Sequence, residues 1–232
     1  MKVGCTLPQS GALASPENLV RVAKRAEELG YDSVWVFERL LWPTNPRDPY
    51  PPSRDGSWPT SFQNVFDPIE TLTFVAAQTR NVRLGTSALV LPYHQPIQLA
   101  RRLATLDVLS EGQLEICGGV GWSRDEFEAV GAPFERRGAR TDEMLEAMIA
   151  IWTRDPVKSA GTPTSTLPAS ARTPISMASN SVWMPPSISP HLKIMSTLDV
   201  IQEVRHSAIK HSSPFIPRVL RNQTVSRFML SI

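Results

Sequence analysis

The chain has 232 residues, 41% hydrophobic and 20% charged, which is enough apolar material for a packed core. No run approaches the roughly 18 consecutive apolar residues of a membrane span, and Met1 to Cys5 lacks the apolar stretch and small-residue cleavage site of a secretory signal. The two cysteines, Cys5 and Cys117, sit inside separate apolar runs without metal-ligand spacing, which fits free thiols in the reducing cytoplasm.

The net charge of +2 conceals two opposed segments. Residues 1–157 hold 16 basic and 20 acidic side chains, a balance of −4, whereas residues 158–232 hold 8 and 2, a balance of +6. Eleven of the 12 glycines precede residue 158, and the last 75 residues contain 14 serines and 8 prolines. One domain rarely changes vocabulary so sharply. The composition therefore divides the chain into a globular part, 1–157, and a Ser/Thr/Pro-rich basic tail, 158–232.

Lys2 to Leu7 reads as a short buried strand. Ser15-Pro16-Glu17 then supplies an N-cap, a proline at the first helical position and an acid in the first turn. Apolar residues recur at helical spacing from Leu19 to Leu29, and Gly30 supplies the left-handed stop. Ser33 to Phe37 is a second strand, followed by a long proline-rich segment from Glu38 to Phe66. Asp67-Pro68-Ile69-Glu70 is a capping box that opens the next helix. Val82 to Leu91 is a third strand, and Pro96 starts a helix that Gly112 ends. Leu114 to Cys117 is a fourth strand running into Gly118-Gly119-Val120-Gly121. Ser123 to Glu126 is a second capping box, and Thr141 to Trp152 has the pattern of an amphipathic helix. Strand–helix units in series demand a parallel sheet, either a doubly wound open sheet or a barrel, and both place ligands at the carboxyl ends of the strands. Four units in 157 residues amount to half of an eight-unit barrel of ~250 residues, which favours (β/α)8 TIM-barrel ancestry.

Glu38 and Arg39 follow the second strand directly and so stand at its carboxyl end, either as a solvated ion pair or as contacts to a polar ligand. Trp42, Trp58, Phe62 and Phe66 in the long loop can cover a flat ligand or form a small core of their own. A loop of this length in a compact domain is usually functional or disordered. The glycines at 118–121 allow close backbone approach ahead of a helix N-terminus, although a tight barrel-rim turn explains them equally. His94 is the only histidine before residue 158, which excludes multi-histidine metal sites and Ser/His/Asp triads there.

Gly30 to Val36, Val82 to Ser87, Ala104 to Ser110, Gly119-Val120-Gly121-Trp122 with Glu126-Phe127-Glu128, and Phe134 through Gly138 to Glu143 together resemble the bacterial luciferase-like oxidoreductases and monooxygenases. The resemblance is greatest to their deazaflavin (coenzyme F-420)-dependent branch, and it covers residues 1–157 in order. It implies an eight-stranded barrel with a deazaflavin, or alternatively FMN, across the carboxyl-end mouth. By the same resemblance Glu38 meets the cofactor's polar edge with Arg39 beside it as the catalytic pair. A non-prolyl cis peptide at Ser87-Ala88, adjoining Thr86, backs the ring, and Gly119, Val120 and Gly121 add backbone contacts. Many relatives carry Asp-His in place of Glu38-Arg39, and some have an acid at Trp122, so the proton donor is left unassigned.

The tail does not resemble the family. An out-of-frame or disrupted second half is favoured over a basic linker with a short helix around Ser196 to Ile209. The expected function is hydride transfer between coenzyme F-420 and a small-molecule substrate, weak in this chain for want of a phosphate clamp after Val157. An FMN-dependent monooxygenase using oxygen is the alternative, and a non-catalytic half-barrel fragment is another. A homodimer is compatible with the sequence; neither membrane nor nucleic-acid binding is expected.

Overall fold

Three helices begin at a proline, the residue whose missing N–H costs nothing in a first turn. They are α1 (Pro16–Glu28), α2 (Pro68–Ala76) and α3 (Pro96–Leu109). Ser15 Oγ accepts from the Asn18 N–H at the head of α1, and Asp67 Oδ1 accepts from the Ile69 N–H at the head of α2. Gly30, at φ 75°, takes the left-handed turn that releases the chain from α1. The helix expected from Thr141 starts four residues earlier, as α5 (Arg137–Thr153), and the shorter α4 (Arg124–Ala129) precedes it. In this computed structural model residues 2–153 and 193–196 are described.

The strands are β1 (Gly4–Thr6), β2 (Ser33–Val36), β3 (Arg83–Val90), β4 (Leu114–Gly119) and β5 (Lys193–Ser196). They form one parallel sheet in the order β1-β2-β3-β4-β5. A doubly wound sheet reverses its strand order at a switch point. This sheet never does, so its winding is that of a barrel wall. β5 is an element the composition of the tail did not announce. It supplies the parallel partner that the outer edge of β4 needs for its backbone groups, Glu115 aligning with Lys193 and Gly118 with Ser196. Ser196, where the basic-linker reading started a short helix, ends β5 instead, and the rest of that helix, to Ile209, lies outside the described residues.

Alternation along the strands separates two faces. Val34, Val36, Leu84 and Ile116 lie at most 1% exposed against Leu19, Leu72, Val75, Leu103 and Met148 from the helices. Burying side chains of this size contributes about 1.5–3 kcal/mol each. The other face carries Ser33, Trp35, Arg83 and Glu115, with Arg83 Nε 2.5 Å from Glu115 Oε1 and Trp35 Nε1 donating to Ser33 Oγ at 2.8 Å. In a closed barrel that face fills the interior. Among the described residues no helix is long and apolar enough to cross a membrane.

The carboxyl ends of β1 and β2 and the end of the long loop are tied by one side chain. Gln9 is fully buried; its Nε2 donates to the carbonyls of Phe37 (2.8 Å) and Phe66 (2.9 Å), and its Oε1 accepts from the Phe37 N–H at 2.5 Å. Gln9→Leu keeps the volume and strips partners from three backbone groups. A loss of about 3 kcal/mol or more in urea unfolding is expected, since each buried group left unsatisfied costs about 1–3 kcal/mol. A change below about 0.5 kcal/mol, the size of an ordinary surface substitution, would contradict this role.

Candidate functional site

Beyond Val36 the chain leaves β2, and three consecutive residues take separate tasks. Phe37 packs on Phe62, with ring centroids 5.4 Å apart. Glu38 turns into the sheet end and is 2% exposed. Its Oε2 accepts the Val90 N–H at 2.6 Å and its Oε1 lies 2.8 Å from His94 Nε2. The Glu38 N–H itself donates to the Ala88 carbonyl at 3.3 Å. The carboxyl group thus bolts the end of β2 to the end of β3 and to the turn after it.

Arg39 is almost as enclosed. Its Nε donates to the Glu38 carbonyl at 2.9 Å, and its Nη1 sits 3.0 Å from Glu126 Oε2 with both side chains at most 8% exposed. The guanidinium carbon lies 4.9 Å from the ring centre of Trp122 and 5.8 Å from those of Trp58 and Phe62, within the range of cation–π attraction. Glu126 is fully buried. Its Oε1 accepts the Leu40 N–H at 2.7 Å, and its Oε2 accepts the Tyr93 hydroxyl at 2.9 Å. Burial pushes the Tyr93 phenol far above its ordinary pKa, and nearby Glu126 adds to the shift. Tyr93 therefore stays a donor. The capping box expected at Ser123 is half formed: Ser123 Oγ caps the Glu126 N–H at 3.4 Å, while the Glu126 side chain turns to Leu40, Arg39 and Tyr93. The loop and the arginine need the carboxylate more than the helix end does.

These groups border a cleft of about 460 Å³ at the carboxyl ends of β1 to β3. Its polar floor includes Thr6, Ser10, Glu38 and Ser87, and its wall is built by Tyr50, Pro52, Pro59, Phe62 and Trp122. The Ser87–Ala88 peptide bond is cis, as the family resemblance implied, and both residues line the cleft. The ladder between β3 and β4 shifts register between Ser87 and Leu89, a β-bulge at the cis bond.

The remaining expected residues lie one layer back. Thr86 is fully buried, and its Oγ1 both accepts from the Cys117 N–H (3.1 Å) and donates to the Cys117 carbonyl (3.3 Å), so its hydroxyl is engaged within the sheet. Gly119, Val120 and Gly121 do not border the cleft. A Cβ on Gly119 would fall 2.9 Å from the Ala88 Cβ, so its bare backbone supports the cis peptide from behind. Gly121 sits at φ 76°, and a Cβ there would meet Val90 at 2.6 Å and Phe127 at 2.9 Å. Sequence reasoning missed Gln9, Tyr93 and the buried role of Glu126. Only the Glu126-Phe127-Glu128 signature carried a hint of the last. Among the described residues no group of three or more His, Cys, Asp or Glu side chains can hold a metal ion.

The long loop is folded onto α4. Asp48 accepts the Arg124 N–H at 2.7 Å and pairs with its guanidinium, Arg47 Nε contacts Asp125 Oδ1 at 2.7 Å, and Trp58 Nε1 donates to the Asp48 carbonyl at 3.0 Å. Trp58 is buried beneath Trp122, their centroids 4.8 Å apart. Of the loop aromatics, Trp58 forms the loop's own core and Phe62 lines the cleft.

Comparison with known proteins gives a consistent neighbourhood. A family model described as luciferase-like monooxygenase matches residues 1–185, beyond the 1–157 that the motifs covered. An uncharacterized protein of Mycobacterium tuberculosis is 36% identical over 134 residues, 57% of this chain and 48% of its own. The F420-dependent glucose-6-phosphate dehydrogenase of Amycolatopsis mediterranei is 31% identical over 150 residues, 63% of this chain and 40% of its own. The chain thus spans about half the length of these relatives. Among solved structures, monooxygenase RslO1 from Streptomyces bottropensis superposes with TM-score 0.63 at 25% identity, covering 100% of this chain and 65% of its own. An F420-dependent secondary alcohol dehydrogenase in complex with an F420–acetone adduct shares the fold with TM-score 0.60 at 18% identity, covering 84% and 51%. So does an FMN-bound type II Baeyer–Villiger monooxygenase from Pseudomonas putida, with TM-score 0.56 at 22% identity, covering 70% and 42%.

The pinning of the loop can be tested with a protease. Arg47→Ala combined with Asp48→Ala removes three ion pairs to α4, those of Arg47 with Asp125 and Glu128 and that of Asp48 with Arg124. Trypsin cleavage after Arg54 is expected to accelerate about tenfold while global urea stability changes little. Unchanged cleavage would show that the aromatic packing alone holds the loop.

Proposed function

The chain belongs to the luciferase-like monooxygenase family, and from that premise we propose that its cleft serves hydride transfer between a deazaflavin, coenzyme F-420, and a small organic substrate. The observation that carries this reading is the floor of the cleft. There the cis Ser87–Ala88 peptide lines the cleft, with Gly119 behind it and Glu38 in the same lining. A flat ring fits such a surface, and about 460 Å³ lies in the ordinary range of cofactor and ligand sites. The 31% identity to an enzyme named F420-dependent supports reading the ring as a deazaflavin rather than FMN.

A bound deazaflavin would supply the two-electron hydride acceptor or donor. Ser87 and Ala88 set the plane against which a ring lies. Glu38, fixed by Val90 and His94, fixes the polar edge, and its Oε1 shares a hydrogen with His94 Nε2 across 2.8 Å. That pair can hold the proton that hydride chemistry on an alcohol or a carbonyl exchanges. The loop wall excludes water from the ring's open side. A reducing cytoplasmic setting suits two cysteines kept as thiols, Cys5 and Cys117. An FMN-dependent monooxygenase using oxygen is the second reading, favoured by the likeness to monooxygenase RslO1.

By family resemblance the phosphate of the cofactor is anchored by basic residues of the second half of the barrel, and the sequence after Val157 resembles no such clamp. Two or three missing charge-assisted contacts of about 1.5–3 kcal/mol each lower affinity by roughly three orders of magnitude. Titration of the purified chain, followed by cofactor absorbance and fluorescence, is expected to give about millimolar binding of F-420, weaker binding of FMN and negligible turnover. Joining a relative's second half after Val157 is expected to bring F-420 binding to about micromolar. A spectral shift with FMN alone would reverse the order of the two readings, and micromolar F-420 binding by the unaltered chain would refute the proposed weakness.

A further inference from the structure

Every charged side chain bordering the cleft, among the described residues, belongs to Glu38 or Arg39. An arginine at the mouth of a site is ordinarily the group that would receive a phosphate or carboxylate. Here the guanidinium charge is already balanced, although Nη1 is buried without a hydrogen-bond partner. Glu126, fully buried, lies 3.0 Å from its Nη1, its Nε donates to the Glu38 carbonyl, and the rings of Trp58, Phe62 and Trp122 surround it. Arg39 with Glu126 sums to zero charge. Glu126 cannot swing away without leaving the Leu40 N–H and the Tyr93 hydroxyl without their acceptor. An incoming anion would therefore meet Glu38 and an arginine whose charge Glu126 already balances.

The rest of the wall is apolar and flat. Tyr50 packs edge-on to Phe62 at 5.3 Å and against Trp122 at 5.7 Å, and Pro52 and Pro59 continue the surface. Tyr50, Phe62 and Trp122 are only half-buried where they face the cleft, whereas Trp58 behind them is 8% exposed. The loop spends Trp58 on its own core and turns Tyr50 and Phe62 to the cleft, beside Trp122.

From this we infer that the wall is the substrate subsite, and that it selects an uncharged, apolar and flat alcohol or carbonyl compound against phosphorylated or carboxylated ones. Arg39 acts as the pin of the aromatic wall. The inference rests on the cleft being a substrate site, as in the proposed function, but it does not depend on which cofactor sits on the floor.

Two probes that differ mainly in charge, 4-nitroacetophenone and 4-nitrophenyl phosphate, both quench tryptophan fluorescence and can be titrated into the full chain. The ketone is expected to bind at least about tenfold more tightly, because the phosphate must desolvate without a partner. Tyr50→Leu, outside the buried charge network, is expected to weaken the ketone about threefold, in line with loss of an aromatic contact. Glu126→Gln, which frees the Arg39 charge, is expected to shrink the discrimination about tenfold. Equal binding of the two probes, tighter binding of the phosphate, or no binding of the ketone would each overturn the inference. F-420 titrated in parallel into the chain joined to a relative's second half after Val157 keeps the two readings apart. Ketone selectivity without F-420 binding removes the deazaflavin reading and leaves the subsite standing, whereas F-420 binding with reversed probe preference does the opposite.

Discussion

Two buried carboxyl groups hold the functional end of this molecule together. Glu38 and Glu126 are 2% and 0% exposed, and taking such groups out of water is costly unless every oxygen is met. Here each oxygen is met by a different piece of structure. Glu38 reaches Val90 and His94 beyond β3, while Glu126 on α4 reaches Leu40, Arg39 and Tyr93. The cost of burial enforces the geometry: loosening any of these segments leaves a polar group unmatched in the interior. The cleft floor, the Arg39 pin and the start of the long loop all inherit their positions from these contacts.

Built on that frame, the loop's wall needs little secondary structure. One short 3-10 turn at Thr60–Gln63 and a single bridge, Ser10 to Val65, are its regular features. Gln9, Arg47 and Asp48 fasten it by side chains. Such a segment can change its wall residues without disturbing the sheet, and binding residues concentrate in loops on rigid scaffolds for this reason.

The regular elements were legible because local chemistry decides them. Ser15-Pro16 and Asp67-Pro68 head real helices, Gly30 ends one, and the apolar runs at 33–37 and 82–91 are strands β2 and β3. The cis bond at Ser87–Ala88 and the prominence of Glu38 came from resemblance to a family, since no spacing rule points to either. What the sequence hid was long-range. Nothing local tells that Glu126 would leave its capping role for Leu40, 86 residues away, or that Gln9 would bridge to Phe66, 57 residues on. The partners of a buried polar side chain are set by tertiary packing, and sequence periodicity carries no record of them. The strand at Lys193–Ser196 was hidden for a related reason: four residues amid serine and proline give no pattern until β4 offers an edge.

The central claim is that the carboxyl-end cleft seats a deazaflavin-type ring on the Ser87–Ala88 peptide. Crystals of the chain soaked with 5-deazariboflavin, which has the ring without the phosphate, test it directly. The claim predicts ring density stacked on Ser87–Ala88, with its polar edge toward Glu38 and its open side against Tyr50 and Trp122. A ring bound elsewhere on the molecule, or a cleft left free of it at saturating ligand, would contradict it.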